Sequence, residues 1–141
     1  VNKFLIASHG ELAKGIQSTV ELFAGKNNAI SYISAYTAAD EDLSIQLTNF
    51  VSSVSASDTA IIFTDLYGGS VNQKITVMAA GKTNFHIISG FNLPVILETV
   101  LYTGKINTDF INCVVEKGRQ NLKVVDLQPA TDDDVDFLTK G

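Results

Sequence analysis

Short apolar runs alternate along this chain with longer stretches in which apolar residues recur every three or four positions. That is the pattern of strand–helix units wrapped around a mostly parallel sheet. Phe4 to Ala7 is a near-continuous apolar run and predicts a first strand buried on both faces. Leu12, Ile16, Val20 and Phe23 follow at helical spacing, with Gly25 as the stop. Ile30 to Ile33 predicts a second strand. Asp40, Glu41 and Asp42 then place negative charge where a helix dipole favours it, and Leu43, Leu47, Phe50, Val51 and Val54 give that helix its apolar face. Ala60 to Phe63 is the third strand. It runs into Thr64-Asp65-Leu66-Tyr67-Gly68-Gly69, and a helix opens at Ser70. Ser70 and Gln73 match a capping box, and Val71, Ile75, Met78 and Ala79 supply the buried stripe. Phe85 to Ile88 is the fourth strand. Pro94 suits the first turn of a helix carrying Ile96, Leu97, Val100 and Leu101, with Gly104 as its stop. Phe110, Ile111, Val114 and Val115 mark a further helix, and Leu122 to Leu127 a late strand. The expected fold is α/β, an open, mostly parallel sheet flanked by helices on both faces. One domain spans 1–128, and 129–141 is an acidic tail with Asp132, Asp133, Asp134 and Asp136, either a mobile tail or a short capping helix.

Composition narrows the chemistry. The 141 residues fit one domain, and 45% apolar content builds a core without a metal or disulfide staple. Cys113 is the single cysteine, so an internal disulfide and a cysteine-based metal cluster are both excluded. Among Ile111, Val114 and Val115 it reads as a small buried hydrophobe. The net charge of -5, with Lys and Arg scattered, leaves no basic stripe for nucleic acid. No apolar run approaches the ~20 residues that cross a bilayer. Ser8-His9-Gly10 breaks the N-terminal apolar run too early for a signal-peptide core. The expected location is cytoplasmic.

Open parallel sheets bind ligands outside the carboxyl ends of their strands. Two strand ends here carry unusual residues, Ser8-His9-Gly10-Glu11 after the first and Asp65 with the Gly68-Gly69-Ser70 turn after the third. If these strands are neighbours, His9 and Asp65 share one rim. A carboxylate accepting one imidazole N–H fixes the tautomer and leaves the other nitrogen as a nucleophile. Glycines let the backbone approach an anion, and the helix N-terminus behind them presents unpaired N–H groups. A phosphoryl group on His9 could be held by Gly10, Gly68, Gly69, Ser70 and Asn72. Each feature also has a plain reading. Histidines after strands are often solvated loop residues, and an aspartate before Gly-Gly is often a turn former. Tyr67 could line the site, dock a partner or simply pack, and Asn72 could donate to phosphate or face solvent. His86, inside the fourth strand, reads as structural. No metal or cofactor is called for.

At Phe4-Leu5-Ile6-Ala7-Ser8-His9-Gly10, Phe63-Thr64-Asp65-Leu66-Tyr67-Gly68-Gly69-Ser70 and Gly90-Phe91-Asn92-Leu93-Pro94-Val95-Ile96-Leu97-Glu98-Thr99 the chain resembles the IIA domain of the mannose family of the bacterial phosphoenolpyruvate-dependent sugar phosphotransferase system. The resemblance implies that His9 is phosphorylated and that Asp65 orients it. It implies phospho-HPr as donor and a histidine of a cognate IIB domain, itself associated with membrane IIC and IID, as acceptor. It further implies a homodimer in which a late strand, here Leu122 to Leu127, packs or exchanges at the dimer edge. Tyr67 stands where some relatives carry tryptophan, which bears on partner docking. No IIB domain follows within these residues.

Three other readings compete. A phosphotransfer subunit of a dihydroxyacetone kinase uses the same histidine chemistry, but Gly10-Glu11-Leu12-Ala13 and the turn from Gly68 to Asn72 fit the sugar-transport branch better. A receiver domain phosphorylated on Asp65 needs an acidic pair after its first strand, where this chain has Ser8-His9-Gly10, and a lysine ending its fifth. A flavodoxin-like binding module needs a longer loop rich in Ser, Thr and Gly after the first strand than Ser8-His9-Gly10-Glu11.

Overall fold

The computed structural model describes residues 1–37 and 42–129. The expectations for Asp40, Glu41 and the acidic tail from Ala130 onward lie outside these residues. Four strands form one sheet, β1 (Asn2–His9), β2 (Ile30–Ala35), β3 (Thr59–Thr64) and β4 (Phe85–Ser89), in the order β2-β1-β3-β4 and all parallel. Among the described residues five helices accompany them, α1 (Leu12–Ala24), α2 (Leu43–Ser53), α3 (Ser70–Ala79), α4 (Leu93–Val100) and α5 (Thr108–Gln120).

The period-two alternation of strand side chains explains the layers. Phe4, Ile6, Ile61 and Phe63 point to one face and are covered by α1, α4 and α5 through Ala13, Val20, Val95, Ile96, Ile111 and Val114. Leu5, Ala7, Ala60 and Ile62 point to the other and are covered by α2 and α3 through Leu43, Leu47, Phe50, Val71 and Ile75. A strand sandwiched in this way has no polar face, which is why β1 and β3 read as unbroken apolar runs.

Strand order sets the function-bearing rim. From β1 the chain moves outward to β2. It then crosses back to β3 and moves outward the other way to β4. The switch point therefore lies between β1 and β3, and ligands of open parallel sheets settle at the carboxyl ends there. Ala7 pairs with Thr64 across this seam, and His9 pairs with Ala35 on the other side.

Two rigid devices shape the far end of the sheet. The Asn92 side chain accepts from the Val95 N–H at 3.0 Å, capping α4, and its amide donates to the Gly118 carbonyl at 2.8 Å, tying α5 to α4. Gly118 permits this approach, since a Cβ there would lie 3.1 Å from that of Val95.

Several expectations change. Leu122 to Leu127 forms no strand in the single chain. Among the described residues its backbone has no strand neighbour to pair with, and Leu122, Val124, Val125 and Leu127 are all exposed. Cys113 is exposed rather than buried, because α5 turns Ile111, Val114 and Gly118 inward and Cys113 lies off that stripe. The inward stripe of α1 runs through Ala13, Ile16 and Val20, leaving Leu12 and Phe23 exposed. Helix α4 ends at Val100, before Gly104. That glycine instead makes room for the Tyr102 ring, which stacks on Phe110 with centroids 4.2 Å apart. Asp42 does cap α2, its carboxylate accepting from the Ile45 N–H at 3.2 Å.

His86 sits within edge strand β4, half-buried, and burial holds its imidazole below the ordinary value of 6.5. The unfolded chain therefore binds the proton more readily. Stability contributed by neutral His86 is complete above about 6.5 and is lost as pH falls from there through the lower folded value. Urea unfolding between about pH 8 and 5 should show a shallower loss of stability for His86→Gln than for the wild type. Equal slopes would contradict this reading.

Candidate functional site

The carboxyl end of β1 delivers His9 to the rim, and Gly10 turns the chain away from it. Gly10 has φ +60°, a conformation that costs a side-chain-bearing residue energy, and its N–H donates to the Ala35 carbonyl at 2.8 Å. The buried Ser8 hydroxyl accepts from the Ala13 N–H at 2.8 Å, so a β1 side chain caps α1 directly after the histidine. His9 is thereby clamped between two elements that start or end within a few residues of it.

Asp65 stands one residue past β3. Its Oδ2 accepts from the His9 backbone N–H at 2.9 Å and lies 3.0 Å from His9 Nδ1, while Oδ1 lies 3.2 Å from Nδ1 and accepts from the Leu66 N–H at 3.0 Å. Side chains 56 positions apart in sequence thus form one unit, with 34% of the imidazole side chain and 11% of the carboxylate side chain exposed. A carboxylate accepts only, so the neutral ring carries its proton on Nδ1 and its lone pair on Nε2. Nε2 faces the Ser70 hydroxyl at 3.3 Å.

The loop after Asp65 is held by its own polar chain. The Thr64 hydroxyl donates to Ser89 at 2.9 Å and accepts from the Asn72 amide at 3.1 Å, and Asn72 Oδ1 accepts from the Gly68 N–H at 3.2 Å. Asn72 is buried by this work. Its side chain fixes the turn from beneath and does not face solvent. The capping box is replaced. Gly69 is the N-cap, the Ser70 hydroxyl turns to His9, and the Gln73 amide donates to the Gly68 carbonyl at 2.6 Å.

The N–H groups of Gly10, Gly68 and Gly69 are engaged with Ala35, Asn72 and Leu66. The glycines therefore shape the turn. Among the described residues, the N–H groups of Ser70, Val71 and Asn72, the first three of α3, have no acceptor. The imidazole lies against this helix start, since a Cβ on Gly69 would come 3.2 Å from His9 Cε1. Nε2, the Ser70 hydroxyl and the start of α3 thus lie together at the rim, and a helix start of this kind suits an anion. Tyr67 is 89% exposed at the rim, with Leu66 and Leu12 also exposed. No group of three or more potential metal ligands occurs among the described residues. No described helix is long and apolar enough to cross a membrane.

Tyr36 is the residue that sequence reasoning missed. It follows β2 directly, its hydroxyl lies 2.7 Å from Ser70 Oγ, and its ring centroid is 5.7 Å from that of His9. Its one sequence signal was position, immediately after a strand. That signal gains meaning only once β2 is known to flank β1.

The family model described as the PTS system fructose IIA component, EIIA-man, matches residues 3–127. The mannose-specific EIIAB component of Escherichia coli K12 is 21% identical over 128 residues, covering 89% of this chain. The chain spans about 40% of the length of that relative. Among solved structures, a PTS permease protein from Klebsiella pneumoniae superposes with a TM-score of 0.78 at 31% identity, covering 87% of this chain and 90% of that one. The PTS IIA protein associated with the fucose utilization operon of Streptococcus pneumoniae superposes with a TM-score of 0.76 at 27% identity, covering 87% of this chain and 92% of that one. With residues 3–127 matched by the family model, the chain belongs to the EIIA-man family of IIA components of the sugar phosphotransferase system.

Proposed function

We propose that this chain carries phosphoryl groups on His9 Nε2, taking them from phospho-HPr and passing them to a histidine of a cognate IIB domain. The single observation that supports this most is the His9–Asp65 pair, with Nδ1 turned to the carboxylate at 3.0 Å and Nε2 turned outward over the start of α3. In the forward step the Nε2 lone pair forms a bond to phosphorus while the P–N bond of phospho-HPr breaks. The bonding pair returns to the donor imidazole. No proton need leave His9, because Nδ1 keeps its hydrogen and goes on donating it to Asp65, whose charge offsets the cationic ring. The Ser70 hydroxyl and the amides of Ser70, Val71 and Asn72 supply donors to the phosphoryl oxygens. Transfer to IIB is the same step reversed with a new acceptor.

Exposed Tyr67, Leu66 and Leu12 form the apolar ground on which both partners dock. The exposed apolar segment Leu122 to Leu127 packs in a homodimer, against the open edge of β4 in the partner chain. The carrier works in the cytoplasm beside membrane IIC and IID. The alternative of an acyl phosphate on Asp65 is disfavoured by the same geometry, because that carboxylate is enclosed by three N–H donors.

The experiment is a reconstituted relay of phosphoenolpyruvate, Enzyme I and HPr, with intact mass followed over time. One phosphoryl group, labile in acid and stable in base, should appear only when HPr is present. An unmodified mass with HPr present would refute the proposal.

A further inference from the structure

The hydrogen-bond chain at the rim does not end at Ser70, and its continuation has a direction. Because Asp65 accepts the Nδ1 proton, Nε2 can only accept, so the Ser70 hydroxyl at 3.3 Å must donate to it. That uses the one hydrogen Ser70 has. The 2.7 Å contact between Ser70 Oγ and the Tyr36 hydroxyl must then run from Tyr36 to Ser70. This stretch of the chain reads Tyr36 O–H to Ser70 Oγ, Ser70 O–H to Nε2, and Nδ1–H to Asp65.

The backbone at Tyr36 supports a positional role. Its φ is +63°, and among the described residues it is the one non-glycine at positive φ. A bulky side chain in that region is strained, and such strain concentrates at functional rims. Here the left-handed turn is part of how the ring comes beside His9, with planes tilted by 38°.

We infer that Tyr36 is a positioning residue for the phosphoryl step, acting through Ser70: its hydroxyl fixes the Ser70 proton toward Nε2 in the free protein and toward a phosphoryl oxygen once Nε2 is occupied. When phosphorus takes the Nε2 lone pair, Ser70 loses its acceptor. Tyr36 still donates to Ser70 Oγ, so the hydroxyl proton stays directed away from Tyr36 and toward the group on Nε2. A phenylalanine in its place keeps the ring but frees the hydroxyl to rotate.

This inference rests on the proposed carrier role, and its test has an arm that does not. In unphosphorylated protein with ¹⁵N-labelled histidine, Tyr36→Phe should move the His9 Nε2 resonance in the same direction as Ser70→Ala, leaving Nδ1 in place. The His86 resonances, remote from the chain of hydroxyls, report an intact fold. In the relay, Tyr36→Phe should slow transfer from phospho-HPr about three- to tenfold, the size of one neutral hydrogen bond. The double variant should be no slower than Ser70→Ala alone. An unmoved Nε2 resonance, or independent and additive effects of the two substitutions, would overturn the role of Tyr36. A wild type that HPr fails to phosphorylate would instead refute the carrier reading, and the resonance arm would still decide the hydroxyl chain.

Discussion

His9→Ala should accept no phosphoryl group from phospho-HPr, with transfer reduced at least about a thousandfold. The substitution removes the only proposed nucleophile, and the neutral hydroxyls of Ser70 and Tyr36 left beside it, with no base to activate them, are poor substitutes. Asp65 is the other reactive group, but its carboxylate remains occupied after the imidazole is gone. The backbone N–H of residue 9 at 2.9 Å and the Leu66 N–H at 3.0 Å still bind it. For the same reason the variant should fold. One-third of the ring is already exposed, and its loss leaves the carboxylate paired, so the thermal midpoint should shift little. The check is intact mass in the relay alongside thermal unfolding. A phosphorylated His9→Ala protein would move the chemistry elsewhere.

The second large effect is expected from Asp65→Asn. The wild-type carboxylate accepts three N–H groups and donates none. An amide of the same shape has one accepting oxygen and one donating nitrogen, so it cannot serve all three. If its NH₂ faces the ring, the imidazole must accept at Nδ1 and carry its proton on Nε2, which blocks the nucleophile. If its oxygen faces the ring, a backbone N–H is left facing a donor, and the negative charge that offsets the phosphorylated ring is still missing. Either arrangement retains the fold and slows transfer, by about 10²- to 10⁴-fold on the precedent of other oriented histidines. Quenched-flow transfer from phospho-HPr measures it. Wild-type kinetics in this variant would remove Asp65 from the mechanism.

Much of this site is legible in the sequence. Strand-flanked His9 and Asp65 stood out because buried parallel strands leave an unmistakable apolar run, and a polar residue directly after one must sit at the rim. Periodicity also located all nine elements of regular structure among the described residues. It could not say which strands are neighbours, because nothing local to β1 encodes that β2 lies on one side and β3 on the other. Tyr36 was invisible for that reason. Ser70 and Gln73 had the right spacing for a capping box, but a tertiary partner, the His9 ring, took the Ser70 hydroxyl. At Asn72 a helix start does not reveal what lies beneath it. Here the Thr64 hydroxyl drew the amide inward. Leu122 to Leu127 has strand composition without a strand partner among the described residues, and composition alone does not provide one.

The proposed transfer depends on one atom, Nε2 of His9. The most direct measurement is ³¹P and ¹⁵N NMR of the phosphorylated chain with labelled histidine. A single phosphorus resonance correlated with Nε2 of His9, with Nδ1 remaining protonated, is the predicted result. Phosphorus correlated with Nδ1, or an acyl phosphate on Asp65, would contradict it.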